Sequence, residues 1–286
     1  MRPADILFEK VIIHSNVSND TLIKCSEKRR SLFNNIYFDN DLYDSAKEYH
    51  KLFTQIVPEL TDATLKYQPL FQWNNVGSSC WLFEQIQLEN ILMIESWKKA
   101  LRTNDLKQRR SLFKESIEYS IQALDTLGKY HWEDVSITDM SIMQDRYYLY
   151  NMFKAASQYY KTMNEFSIKN NTATNSKCVR MAFDFMDVAN HLWKSDQYDE
   201  EECNNLKAEY LLDQALKTMT DDQCGERCGL LKDIVKLKTT PSHVKAQYNV
   251  WKQQNEQVYF QKEETDKTVI SVSLTDLFQN LQVIVG

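Results

Sequence analysis

The sequence predicts a mainly α protein: one domain over 1–286, an elongated stack of antiparallel helix hairpins with a small N-terminal β element. Three observations predict it. Only five Gly and four Pro punctuate 286 residues, too few for the turns of an all-β or α/β chain. Apolar residues recur at spacings of three and four over long windows, the period of an amphipathic helix. A hydrophobic fraction of 43% suffices for a substantial core.

Taken in order, "ILFEKVIIH" (6–14) mixes β-branched and aromatic residues and predicts a short strand. "TLIKCSEKRRSLF" (21–33) predicts a helix. In "NDLYDSAKEYHKLFTQIVPEL", Leu42, Ala46, Tyr49, Phe53 and Ile56 form one apolar face, with Asn40 as a cap at the start and Pro58 as the stop. "PLFQWN" (69–74) alternates and predicts a strand paired with the first. The segment 79–101 is apolar nearly all round, as a central buried helix is.

Farther along, Phe113, Ile117, Ile121 and Leu124 share a face. Thr138 opens a helix carrying Met140, Met143, Tyr147, Tyr150, Ala156, Tyr160 and Met163. "NNTATNS" (170–176) is a loop, and Val179, Phe183, Met186, Ala189 and Trp193 make the next stripe. Helices near 200–219, 223–238 and 242–257 follow, the last with Thr240-Pro241 at its start. Long helices with short links make an irregular, tetratricopeptide-like stack without a strict sequence repeat.

Charge and motifs narrow the function. A net charge of −6 argues against a nucleic-acid binder, which needs a basic face to displace counterions from phosphates. The dense basic run "KCSEKRR" (24–30) reads as a solvated helix face with Glu27 interleaved. The first residues lack a signal-peptide-like apolar run, no window suits a membrane span, and the six scattered Cys read as reduced thiols of a cytoplasmic protein.

No His pair has metal-ligand spacing, and the Cys pair of "QCGERCG" (223–229) lacks a second pair to complete a tetrahedral zinc site. Cys224 and Cys228 therefore read as core residues beside Leu231 and Val235. Phosphate loops and nucleophile elbows are missing, and the acids of "YDEEE" (198–202) suit a helix start. No metal, cofactor or catalytic residue is expected, and the chain reads as a non-enzymatic binding protein. The tyrosines and phenylalanine of "YYLYNMFKAASQYYKTM" (147–163) point in too many directions for one buried stripe, so an exposed aromatic cluster is expected there.

Four collinear segments carry a family resemblance. They are "EKRRSLFNNIYFDNDLYDSAKEYHKLFTQIVPEL" with the later "FQW"; "LFEQIQLENILMIESW" with Leu88 and Asn90; "NEQVYFQKEE"; and "ISVSLTDLFQNL". In this order they resemble the Bro (BRO-one) domain of Alix-type ESCRT-associated adaptors, in a shortened single-domain form trimmed mainly between Phe166 and Leu230. The resemblance implies that Val258, Tyr259 and Phe260 anchor an extended exit from the last long helix, and that Leu277 and Phe278 pin a closing turn.

The resemblance further implies an adaptor that binds the C-terminal amphipathic helix of an ESCRT-III subunit in a concave apolar groove. Such an adaptor supports endosomal sorting at multivesicular bodies, budding or membrane remodelling. It is cytoplasmic and recruited to endosomal or other ESCRT-active membranes. Carried over residue by residue, the partner-binding positions are Tyr159, Cys178, Met181 and Tyr248. Tyr stands where the family has Phe or Leu at two of them, so the alternative is the same scaffold reading a different helical ligand, signalling or viral. Peripheral membrane association is compatible with this reading, although the acidic balance argues against strong binding to anionic lipids.

Overall fold

The computed structural model describes residues 16–35, 41–71, 77–129, 138–170, 174–193, 197–217 and 273–286, with positions 233, 237, 241, 242, 246 and 249. Among the described residues the regular structure is helical: α1 (Asn19–Asn35), α2 (Tyr43–Phe71), α3 (Gly77–Arg102), α4 (Leu106–Lys129), α5 (Thr138–Lys169), α6 (Ser176–Leu192), α7 (Gln197–Lys217) and α8 (Leu274–Val285). The chain divides into two compact units, Met1–Met152 and Phe153–Gly286. The expected strand at 6–14, the cap at Asn40, all but a few single positions of the helices expected near 223–238 and 242–257, with Cys224 and Cys228, and the anchors Val258, Tyr259 and Phe260 lie outside the described residues.

In the first unit, antiparallel neighbours share one core. Ser18 caps α1, its hydroxyl accepting from Thr21 N–H at 3.3 Å. The stripe expected on α2 is buried at every position from Leu42 to Ile56. The helix begins on two carboxylates: Asp41 accepts from Tyr43 N–H, and Glu95 of α3 accepts from Leu42 N–H, both at 3.3 Å. Asp44 of α2 then meets Lys99 of α3 at 3.2 Å, and Phe53 meets Trp81 with ring centroids 6.4 Å apart, so the two helices run in opposite directions. Between positions 81 and 100 of α3 only Phe83 and Lys98 are exposed, as its all-round apolar composition predicts.

A polar cluster ties three helices together inside this core. Arg29 of α1 donates to Glu84 of α3 at 2.7 and 3.2 Å, and Tyr49 of α2 donates to the same carboxylate at 3.0 Å. All three side chains are buried, and the guanidinium lies 5.3 Å from the Phe33 ring centroid. Burial, then the Glu84 charge, pushes the Tyr49 hydroxyl well above its ordinary range, and the same two causes lift the Cys25 thiol to about 12.

Three expectations are corrected. Pro58 does not end α2, which runs on to Phe71. Pro58 is exposed while Ile56 and Leu60 are buried, so the lost backbone hydrogen bond falls on the solvent side and the buried face carries the helix through it. Pro69, Leu70 and Phe71 are helical rather than a strand: a few alternating residues do not outweigh extension of a helix that needs no new nucleus.

Third, Ile121 is exposed rather than part of the α4 stripe. The face that packs on α3 holds the small residues Ser116, Ser120 and Ala123, which bring the backbones close enough for Ser116 Oγ to donate to Met93 O at 3.0 Å.

Candidate partner-binding site

The second unit holds the described positions of the expected binding site, and α5 organises it. Residues four and three apart share a face of a helix, and beyond Met152 the faces of α5 have different tasks. Phe153, Ser157, Tyr160 and Asn164 face α6. Ser157 Oγ donates to Ala182 O at 2.6 Å, and Phe185 stacks on both Phe153 and Tyr160, with centroids 5.9 and 5.8 Å apart. Asn164 accepts from Asn175 N–H at 2.9 Å, and Asn175 in turn caps α6 by accepting from Cys178 N–H at 3.3 Å.

Lys154, Gln158 and Lys161 face α7. Lys154 meets the wholly buried Asp199 at 2.6 Å, while Gln158 donates to Glu202 at 3.1 Å and Lys161 pairs with the same carboxylate. Burial works against the Lys161 charge, and Glu202, with help from Glu209 and Glu165, more than offsets it, holding the ammonium above its ordinary range. The acids of 198–202 are therefore more than a dipole complement: two of them fasten α7 to α5. α6 and α7 pair antiparallel, with Phe183 stacked on Tyr210 at 5.7 Å and Ser176 donating to Asp213 at 2.9 Å.

A third line of α5 holds Tyr159, Met163 and Phe166 at i, i+4 and i+7. Tyr159 and Met163 are half-buried, and Phe166 is 38% exposed. Tyr159 sets its ring edge on Tyr160, centroids 5.6 Å apart. On α6, Cys178 and Met181 sit one turn apart and are only 3% and 7% exposed, facing the interior rather than an open groove. Burial first, then the nearby Tyr159 and Cys178, lifts the Tyr160 hydroxyl to about 12. The structure thus brings Tyr159 and Cys178 around Tyr160. Tyr248, the fourth expected position, lies outside the described residues.

The exposed tyrosine cluster is not found in 147–163. Tyr148, Tyr150, Phe153 and Tyr160 are buried and Tyr147 and Tyr159 half-buried, because Phe185 of α6 takes the rings of Phe153 and Tyr160 and the first-unit core takes those of Tyr147 and Tyr148. The fully apolar exposure is farther along, at Phe166 and Ile168. At the other end of the unit the "TDLFQNL" segment is helical, α8. Leu277, Leu281 and Ile284 form its buried face, and Phe278, 46% exposed, lays its ring against Phe153 at 5.8 Å.

Two groups were not foreseen from sequence. Asp184 of α6 is buried, with Arg180 donating to it at 3.3 Å; burial raises its carboxyl to about 6 despite that guanidinium, with Asp187 adding to the rise. A carboxyl next to Arg at i−4 reads in sequence as a surface pair, and nothing in the residues nearby signals its burial. Cys203 donates weakly to Asp187 at 3.8 Å, and burial first, then the Asp187 charge, lifts its thiol to about 12.

Among the described residues no group of three or more His, Cys, Asp or Glu is placed to hold a metal, and no helix is long and apolar enough to cross a membrane. No protein-family model, no curated protein and no solved structure matches the chain. The likeness to the Bro domain therefore rests on the four collinear segments alone.

Proposed function

We propose that the protein is a non-enzymatic adaptor that binds the C-terminal amphipathic helix of an ESCRT-III subunit, and that it acts in endosomal sorting, budding or membrane remodelling. The observation that carries this reading is the collinear resemblance of four segments to the Bro domain. The line Tyr159, Met163 and Phe166 on α5 supports it, since apolar residues at that spacing match the i, i+4, i+7 anchors of a guest helix. Burying three or four guest side chains offers roughly 5–10 kcal/mol before the costs of association and helix ordering, which leaves a micromolar contact.

A second reading keeps the scaffold and changes the ligand to another helix, signalling or viral. The burial of Cys178 and Met181 favours it, because two positions that the family uses for contact are withdrawn from the surface here.

Titration calorimetry of the full chain against ESCRT-III C-terminal helix peptides separates the readings, with Tyr159→Asp and Phe166→Asp run in parallel. Micromolar binding that either folded variant weakens supports the first reading at this face. Binding that ignores both variants moves the site elsewhere. Failure of every ESCRT-III peptide overturns the ESCRT-III assignment in favour of the second reading.

A further inference from the structure

We infer that α6 is the moving wall of the proposed guest site: it opens locally to uncover Cys178 and Met181, and the buried carboxylate of Asp184 eases that opening. The inference rests on the helix-binding reading for what the uncovered face receives. Lys177, Met181, Asp184 and Val188 lie at i, i+4, i+7 and i+11, so they share one line of α6. Lys177 at one end is exposed and Val188 at the other half-buried, while Met181 and Asp184 between them are 7% and 1% exposed. A contact position and an acid are thus shut away side by side.

Asp184 differs from Glu84, Asp199 and Glu202. Those acids take a cation from another helix, Arg29, Lys154 and Lys161 in turn, and so fasten helices together. Asp184 has only Arg180, four residues back on its own helix and 54% exposed, which donates to Oδ2 at 3.3 Å. Among the described residues nothing donates to Oδ1, which is buried. A carboxylate met so incompletely is worse placed than in water, so letting water reach it lowers its free energy. Opening also breaks no ion pair, because among the described residues none joins α6 to α5 or α7. Ring stacking and the hydrogen bonds of Ser157, Asn164 and Ser176 hold α6 instead. α5 and α7 are ion-paired to each other and stay together while α6 moves.

Protonation removes the unmet charge and closes the wall. The charged groups that face Asp184 are Arg180 and Asp187, both of α6. On α7, Lys207 and Glu202 act on Cys203; on α5, Lys154 and Lys161 are engaged by Asp199 and Glu202. Burial outweighs Arg180, and Asp187 adds to it, so the closed wall keeps the carboxyl titrating at about 6, against an ordinary 3.8 once it is open. The closed form therefore binds the proton more tightly. Opening is fullest above about pH 6 and is suppressed as pH falls through that value.

The test is hydrogen exchange by mass spectrometry on the full chain at about pH 7.5 and about pH 5.5, corrected for intrinsic amide rates. Fragments from α6 are compared with fragments from the second-unit part of α5. We expect α6 to exchange about three- to fivefold faster at the higher pH, with α5 changing less. Asp184→Asn is expected to slow α6 about tenfold at the higher pH and to abolish the pH difference. Arg180→Met removes the one donor and is expected to speed α6 there; it takes the place of Asp184→Asn if that variant lacks native circular dichroism. An α6 that ignores pH, equal changes in α5 and α6, or an α6 that ignores both variants overturns the inference. No guest is present in these measurements, so they decide the opening whether or not an ESCRT-III helix is the ligand. In calorimetry, an ESCRT-III peptide that binds is expected to bind the wild type about three- to fivefold more weakly at the lower pH, and Asp184→Asn equally at both. Equal binding to the wild type at both pH values overturns the link between the opening and the site.

Discussion

Arg29 donates two hydrogen bonds to Glu84, at 2.7 and 3.2 Å, across 55 residues of sequence and inside the core. A bidentate pair of this kind sets the rotation of α1 against α3 more strictly than apolar packing does. Its net stabilisation is small, because both charges leave water; its loss is expensive, because one charge is then buried alone. Arg29→Met is expected to destabilise the chain by about 3–5 kcal/mol in urea denaturation, and adding Glu84→Leu is expected to recover part of that loss. A mild single variant with no recovery in the double would refute the account.

Pro58 predicts a gain. It is exposed within α2 and denies the helix one backbone hydrogen bond. Pro58→Ala removes a helix-interior cost of about 3 kcal/mol and returns roughly 1 kcal/mol of freedom to the unfolded chain, so a net stabilisation of about 2 kcal/mol is expected. An unchanged melting temperature would mean that α2 is bent at Pro58 to suit it.

Asp184 makes stability depend on pH. Its folded carboxyl titrates at about 6 against 3.8 in the unfolded chain, so the folded state binds the proton more tightly. Stability contributed by the neutral form is complete below about pH 4, falls as pH rises toward 6, and stays lost above that. Asp184→Asn keeps the shape without the charge. It is expected to stabilise the chain by about 1–3 kcal/mol at neutral pH, after the lost Arg180 contact is counted, and to be neutral near pH 4. Chemical denaturation at the two pH values measures it; a gain of equal size at both would rule out titration of Asp184 as the cause.

Ser157 tests how closely α5 and α6 approach. Its side chain is wholly buried and donates across the interface at 2.6 Å. Ser157→Ala is expected to cost about 0.5–1.5 kcal/mol, one hydrogen bond, and Ser157→Leu about 1–3 kcal/mol or more through overpacking. Equal tolerance of Ala and Leu in thermal melts would show a looser interface than the structure has.

Much of the helical framework was legible because period alone carries it. Leu42, Ala46, Tyr49, Phe53 and Ile56 are buried as spaced, and so are Val179, Phe183, Met186 and Ala189 on α6. What escaped needed a distant partner to become visible. Glu84 and Asp199 look like surface acids until Arg29 and Lys154 arrive from other helices. Ile121 looks like core until Ser116, Ser120 and Ala123 prove to be the residues buried on α4 around it. Pro58 looks like a stop until the buried stripe proves to continue through Leu60. At the candidate site, family likeness picked out Tyr159 on a half-open face, while nothing in the sequence around Cys178 and Met181 distinguishes a buried position from a contact surface.

The cysteines supply clocks for opening. Cys25, Cys178 and Cys203 are buried free thiols, all held above their ordinary ionisation range, so each is doubly protected from an alkylating reagent: out of reach and scarcely ionised. Each reacts at an appreciable rate only while its surroundings are open. Mass spectrometry of the alkylated chain then times one unit by Cys25 and the other by Cys178 and Cys203, separately and without introduced probes.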